Sequence, residues 1–434
     1  MREAADDLTW ESLASNDDNG FCVGLGSFNG MAVSAEPLAP VLVIGPPQSR
    51  KTSGIVTPAV QRWAGPAVVI TGSAESVEQS IEARTRMGKV WALDPYNILP
   101  PWSVKAGWSP LDEIETWNDA QKLATRLVEA KVSGLQDVDF WRTAASQMLA
   151  PHLYAAARKG YTIRDVIRWI RTQEEFEVRA LLQAVHEEDP ITAVEAGWQR
   201  EERARSSIYT TIEVYLRAWT DESVALSSGI DNRFKSANFL DGNSNTIYVV
   251  LPALENANQA GFSSAIIQHL VEVITSRNRG FVSHLLQSDG IIVALEESPT
   301  KTTPVLIAID DAGILAPMAS LSSLTSAAVR HAIQLITVFS DVSEIQTIFG
   351  DKAANSYINK HMAIVLTPGT RDPQTLDHVN RLQIGSRVAD GTAGGRAAEP
   401  PTELNQLPRG SALCFYATLP PTTVTLQSAS GRDR

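Results

Sequence analysis

The run Val41-Leu42-Val43-Ile44 ends in Gly45-Pro46-Pro47, and Lys51-Thr52-Ser53-Gly54-Ile55-Val56 follows shortly after. An apolar, mostly β-branched run reads as a buried strand. The Gly/Pro turn ends it, and the Lys-Thr pair opens a helix. Strand, loop and helix in this order frame a phosphate-binding loop, whose pattern is G-x-x-x-x-G-K-[ST]. Gly45, Lys51 and Thr52 stand at the required spacing, while the second glycine position is Arg50. Such a loop works through converging backbone N–H groups, a Lys point charge and a hydroxyl at the metal. Gly45, Ser49, Arg50, Lys51 and Thr52 are therefore the candidate nucleotide contacts. Glycine before the Lys permits backbone conformations and close phosphate approach that a side chain resists. With φ negative, Arg50 costs little; with φ positive, it stores roughly 1–3 kcal/mol of strain. Pro58 lies in the helix that follows and, lacking an N–H, is expected to bend or end it.

Residues 67–71 and 89–93 are two more short apolar runs, with helical spacing over 76–87 between them. Strand and helix in alternation predict a parallel sheet with crossover helices. Upstream, Phe21-Cys22-Val23-Gly24-Leu25-Gly26 and Met31-Ala32-Val33 flank Asn29-Gly30, a hairpin signal. After Leu111-Asp112 the period changes. Helical patterns run through Ala120 to Val128, Phe140 to Ala157, Ile163 to Ile170 and residues 199–219. Trp141, Trp169, Trp198 and Trp219 fit a helical core. Arg200, Arg203 and Arg205, mixed with Glu201 and Glu202, read as a solvated helix face. The expected division is an α/β domain over 1–111 and 226–434, with an all-α domain over 112–225 inserted between its strands.

The sheet resumes at residues 246–252, with a helix over 265–273, an extra strand at Ile291–Leu295 and a loop at 298–303. Then Val305-Leu306-Ile307-Ala308-Ile309 ends in Asp310-Asp311. An apolar strand ending in two carboxylates has the form of a Walker B element. The first, Asp310, would share Mg²⁺ with Thr52; the second, Asp311, stands where an ATPase keeps the carboxylate that activates water. Two acids capping a strand-to-helix turn is the plainer alternative, and the upstream Lys-Thr loop shifts the balance toward a nucleotide site. Residues 334–339, 362–366 and 411–416 complete the strands, 390–401 reads as a loop and 427–434 as a frayed tail. The sum is a RecA-like P-loop NTPase domain with a mainly parallel central sheet, interrupted by the all-α insertion.

Charge bounds the partners. Lys and Arg total 37 against 49 Asp and Glu, a net charge of −12. Any nucleic-acid contact must then come from a local basic patch. Cys22 and Cys414 form no CxxC and suit a reducing compartment. The histidines lack metal-ligand spacing and are expected in structural or surface roles. No apolar run reaches the roughly 18 residues of a membrane helix. The acidic start, Glu3, Asp6 and Asp7, is unlike a signal peptide, so the chain is expected to be cytoplasmic.

These pieces, in this order, resemble the type IV secretion coupling proteins, the TraG/TraD family of conjugation ATPases, nearest in wording to its actinobacterial members. The resemblance covers about residues 35–420. It rests on Gly45 through Pro58, on Gly65-Pro66-Ala67-Val68-Val69, and on Trp91-Ala92-Leu93-Asp94-Pro95 with Trp108-Ser109-Pro110-Leu111-Asp112. Asp139-Phe140-Trp141, Asp310-Asp311 with Ala316-Pro317, and Ile345 to Phe349-Gly350 complete it. The resemblance implies ATP and Mg²⁺ as cofactors, a homo- or hetero-hexameric ring, secretion-system components as partners, and DNA or a relaxase as substrate. It implies a place at the inner face of the membrane, reached through a segment this sequence lacks or through partners. The same resemblance shows where the chain departs: Arg50 for Gly, Thr71-Gly72-Ser73-Ala74-Glu75-Ser76 for a Lys/Asp-type segment, Asp311 for Glu, Ser340 for a sensor Gln, and Val329 with Arg330 for an Arg. Two readings follow. One is a coupling-type subunit with weak or lost ATP hydrolysis, a pseudo-ATPase that recruits substrate; the other is an active DNA-translocating ATPase with an unusual loop.

Overall fold

The computed structural model describes residues 8–14, 20–101, 105–128, 138–242, 244–252, 257–279, 281, 302–318, 320–389 and 404–427. The expected strands within them form one sheet. Its spatial order is β2 (Met31–Ser34), β1 (Gly24–Phe28), β11 (Thr422–Thr425), β10 (Ser411–Tyr416), β9 (Ala363–Leu366), β3 (Val41–Ile44), β8 (Ile333–Phe339), β7 (Val305–Ile309), β4 (Ala67–Thr71), β6 (Thr246–Val250) and β5 (Val90–Leu93). Neighbours from β9 to β5 are parallel. β10, β11, β1 and β2 extend the sheet antiparallel. The expected hairpin turns at Asn29 and Gly30, both with positive φ.

Parallel strands are covered on both faces, which is why β3, β4 and β7 read as unbroken apolar runs and are wholly buried. Successive side chains alternate between two cores. Val41 and Val43 face one core with Ile55, Val60 and Val77; Leu42 and Ile44 face the other with Ile266, Leu315 and Ile345. The first core is roofed by the helices that follow the strands, α1 (Thr57–Arg62) and α2 (Ala74–Met87). Lys51 leads into α1 through a π-helical turn, Thr52–Val56. Pro58, expected to bend or end the helix, does not end it. It occupies the first α-helical turn, where a missing N–H is tolerated.

Between β5 and β6 the chain forms α3 (Trp117–Leu127), α4 (Val138–Lys159), α5 (Ile163–Thr172), α6 (Phe176–Gln183), α7 (Glu188–Trp198), α8 (Glu202–Tyr215), α9 (Glu222–Ser227) and α10 (Ser236–Phe239). Capping boxes at Thr116/Asp119 and Thr162/Asp165 start α3 and α5. Trp169, Trp198 and Trp219 are buried in this layer, and Trp141 packs against it partly exposed. Arg200 and Arg203 are exposed as expected. Arg205 is not simply solvated: it donates to the Trp198 carbonyl at 2.9 Å and lies 3.3 Å from Glu175. The long α11 (Ala257–Arg277) follows β6 and returns against the sheet. Among the described residues no helix is long and apolar enough to cross a membrane. The strand expected at Ile291–Leu295, the loop at 298–301 and the segment 390–401 lie outside the described residues.

Candidate nucleotide site

Register builds the site. Ile44 stands opposite Phe339 and Leu366, and Ile309 opposite Thr337 and Ile70. Gly45, Ser340, Asp310, Thr71 and Thr367 thus emerge along one edge, at the carboxyl ends of adjacent parallel strands. That edge is where open α/β sheets bind ligands.

The loop after β3 is wrapped around Lys51. Lys51 is 6% exposed, and its ammonium donates to the Gly45 carbonyl and to the Pro46 carbonyl at 2.9 Å. The Ser49 hydroxyl donates to the Pro46 carbonyl at 2.7 Å and accepts from Thr367 Oγ1 at 2.6 Å. Gly45 is obligatory here, because a Cβ would lie 1.7 Å from Thr367 Oγ1. Gln48 and Arg50 both have left-handed backbones, φ 61° and 68°. Arg50 therefore takes the conformation a glycine would, with the strain that positive φ implies. Its guanidinium reaches the turn before β10, 3.1 Å from where a Cβ on Gly410 would stand.

Across the loop, Asp310 is 2% exposed. Its Oδ2 accepts from Thr52 Oγ1 at 2.8 Å and from Thr71 Oγ1 at 3.2 Å. Its Oδ1 is buried with no hydrogen-bond partner. Burial first, then the charge of Asp311, pushes the Asp310 carboxyl up to about 6. Asp311, with φ 51°, turns the chain into a short helix, Ala312–Leu315. A hydroxyl, a carboxylate oxygen already oriented and a second one unpaired form the oxygen donor set that Mg²⁺ takes.

A further carboxylate stands beside these. Glu344 lies in the helix Val342–Phe349, one turn past the end of β8. Its Oε2 accepts the Ser340 N–H at 2.7 Å. Its carboxyl lies directly over Gly313, where a Cβ would meet Oε1 at 2.1 Å. Burial first, then the Ser340 N–H in the opposite sense and the charges of Asp341 and Asp311, bring Glu344 to about 7. Lys51 feels the whole group: burial lowers its pKa, while Asp311, Asp310, Glu344 and Asp341, in that order, draw it back up.

The cleft above has a volume of about 440 Å³, with Gln48, Arg50, Lys51, Ser73, Asp311 and Ser340 among its walls. All the sequence-expected residues, Gly45, Ser49, Arg50, Lys51, Thr52, Asp310 and Asp311, meet at this edge. Val329 and Arg330 do not: they precede β8, at the far end of the strand, and Arg330 is exposed. Three contributors escaped the sequence reading, Thr367, Gly313 and Glu344, and Thr71 was read only as part of a departing segment, not as a partner of Asp310. Only Glu344 left a local trace. Asp341-x-x-Glu344 is a helix-start pattern, and Asp341 does cap the Glu344 N–H at 2.8 Å.

Sheet order, phosphate-type loop and paired strand-end acids define a RecA-like P-loop NTPase fold with an inserted all-α domain. The family model for type IV secretory system conjugative DNA transfer matches residues 7–387, and the chain belongs to that family. Among solved structures, the bacterial conjugative coupling protein TrwBdeltaN70, unbound, is 17% identical with a TM-score of 0.68, covering 97% of this chain and 92% of that one. TrwB in complex with ADP and Mg²⁺ is 16% identical with a TM-score of 0.68, covering 97% and 93%. VirB4 of Thermoanaerobacter pseudethanolicus is 10% identical with a TM-score of 0.54, covering 95% and 97%. At such identities these likenesses are of fold. No curated protein matches the chain.

Proposed function

We propose that this chain is a coupling-type subunit of a conjugative secretion apparatus that binds MgATP in the cleft over Lys51 and hydrolyses it slowly. One observation carries the reading. Thr52 and Asp310, 258 residues apart, are joined by a hydrogen bond while the other Asp310 oxygen stays buried and unpaired. A buried polar atom without a partner is costly, and a cation between loop and strand end would satisfy it. Thr52 and Asp310 hold Mg²⁺, which neutralises phosphate charge when bound. Lys51 exchanges the carbonyls of its own loop for phosphate oxygens, and Gly45, Ser49 and Arg50 shape the loop around them. TrwB, of like fold, is described in complex with ADP and Mg²⁺, which supports the same ligand here.

Hydrolysis is slow because the strand-end carboxylate is Asp311. It is one methylene shorter than glutamate, and a misplacement of about 1 Å costs on the order of 100-fold in rate. Ser340 likewise lacks the reach of a longer amide. We further propose that residues 1–111 with 226–434 form the nucleotide domain and 112–225 the all-α domain. The subunit works in a hexamer with itself or with other coupling ATPases, receives DNA or a DNA-bound protein, and meets the membrane through a segment outside this sequence or through partners. Titration with MgATP, followed by binding and by phosphate release, tests the central claim. Affinity in the micromolar-to-millimolar range with slow release, and roughly 100-fold weaker binding in Lys51→Ala, is expected. Undiminished binding in Lys51→Ala would overturn it.

A further inference from the structure

We infer that Glu344 supplies the carboxylate that accepts the proton of the attacking water, taking over from the strand-end position that Asp311 fills too briefly. The inference rests on the reading of the cleft as an MgATP site. Three observations of placement carry it. β8 lies between β3 and β7 in the sheet, so the helix that starts past its end, and Glu344 with it, stands at the edge that carries the phosphate loop and Asp310-Asp311. Gly313, two residues after Asp311, has no side chain, and the Glu344 carboxyl occupies the space directly over it. Glu344 Oε2 accepts the N–H of Ser340, a residue of the cleft wall, at 2.7 Å.

A capping role alone does not account for this geometry. The first turn of the helix is already capped by Asp341, whose Oδ1 accepts the Glu344 N–H. The Ser340 N–H that Glu344 Oε2 accepts belongs to the residue before that cap. The bond fixes the orientation of the carboxylate through one oxygen and directs the other toward Gly313. A carboxyl brought to about 7 by its surroundings is also matched to proton transfer near neutral pH.

The step balances without further reactants. The water oxygen bonds to the γ-phosphorus as its proton passes to Glu344. The bond from that phosphorus to the β–γ bridging oxygen breaks, and its electron pair leaves with ADP. The proton then returns to solvent or to the released phosphate.

Glu344→Gln tests this in the full chain, because the amide oxygen can still accept the Ser340 N–H. Single-turnover phosphate release should fall about 100-fold or more. MgATP affinity should change less than about threefold, while affinity for MgADP with aluminium fluoride, which mimics the transferring phosphoryl group, should fall at least about tenfold. Asp311→Glu combined with Glu344→Gln should recover at least about tenfold of the lost rate by returning the longer carboxylate to the strand end. Release at the wild-type rate in Glu344→Gln overturns the inference, as does a loss of MgATP affinity as large as the loss of rate, which would make Glu344 a structural support. Wild-type chain that binds MgATP but releases no phosphate overturns the inference and leaves the binding site standing. Wild-type chain that binds no MgATP removes both.

Discussion

Two buried cations sit at opposite ends of the sheet, and their surroundings differ in kind. Arg84, near the end of α2, is wholly buried beside the start of β6. Its guanidinium donates to the carbonyls of Trp63, Gly65 and Ser244 and to Thr246 Oγ1. Burial lowers its pKa, and only the Tyr248 phenol pulls the other way. Lys51 holds two carbonyls of its own loop and has four carboxylates within electrostatic reach. Arg84 is a cation satisfied by fixed dipoles from three segments. Its planar fork matches that task, and it leaves nothing to exchange. Lys51 is a point charge on borrowed carbonyls, set among more negative charge than it can neutralise. The first arrangement locks the closed end of the sheet; the second waits for a ligand.

The largest effect should come from breaking the satisfied end. Arg84→Met keeps the apolar stem but orphans three carbonyls and a hydroxyl, which should cost roughly 3–5 kcal/mol in urea unfolding. The contrast with Lys51 sharpens the point. Lys51→Ala frees only carbonyls of its own loop and should cost under about 1 kcal/mol, with its loss appearing in MgATP affinity instead. Equal destabilisation by the two substitutions would erase the distinction.

Next in size is the carboxylate opposite Lys51. The folded-state pKa of Asp310, about 6, lies above its ordinary value of 3.8. The folded chain therefore holds that proton more tightly than the unfolded chain. The cost of ionising Asp310 is absent below about pH 4, grows as pH rises, and is complete above about pH 6. Asp310→Asn removes the charge and should stabilise the ligand-free chain by about 1–2 kcal/mol at pH 7.5, and by much less at pH 4.5. Denaturation at the two pH values reads the difference. A stabilisation independent of pH would mean that the carboxylate is already relieved, and Lys51 with it.

Much of the frame is legible in the residues, and the reason is burial. β3, β4 and β7 are covered on both faces, so each is an apolar run that a reader can bound. β11 escaped because only Val424 of its four residues is buried, and threonines fill the rest. α6 buries only Val178 and Leu182, and α7 buries Pro190, Val194, Gly197 and Trp198, of which the proline and the glycine argue against a helix. In the site, Gly45, Lys51, Thr52 and Asp310 announce themselves by local spacing. Thr71, Thr367 and Glu344 contribute because β4 lies beside β7, β9 beside β3, and β8 between β3 and β7. That order of strands is set by how the faces pack, and no local pattern states it. Arg84 was invisible for the same reason: its partners come from Trp63 and Gly65 before β4 and from Ser244 and Thr246 at β6, far apart in the chain.

The smallest expected effect concerns Arg50, which stores backbone strain at the open end of the sheet. Its φ of 68° is a conformation that glycine adopts freely and other residues adopt at a cost. Truncating the side chain to Ala keeps that cost, whereas Gly removes it, and both lose the guanidinium. The two variants therefore isolate the backbone term. Arg50→Gly should exceed Arg50→Ala in stability by about 1 kcal/mol, the left-handed penalty less the extra freedom glycine brings to the unfolded chain. Their MgATP affinities should agree within about threefold, because the loop is left-handed before any ligand arrives and binding releases no strain. A glycine variant that binds much more tightly would show instead that the loop must move to receive phosphate, and that Arg50 restrains it.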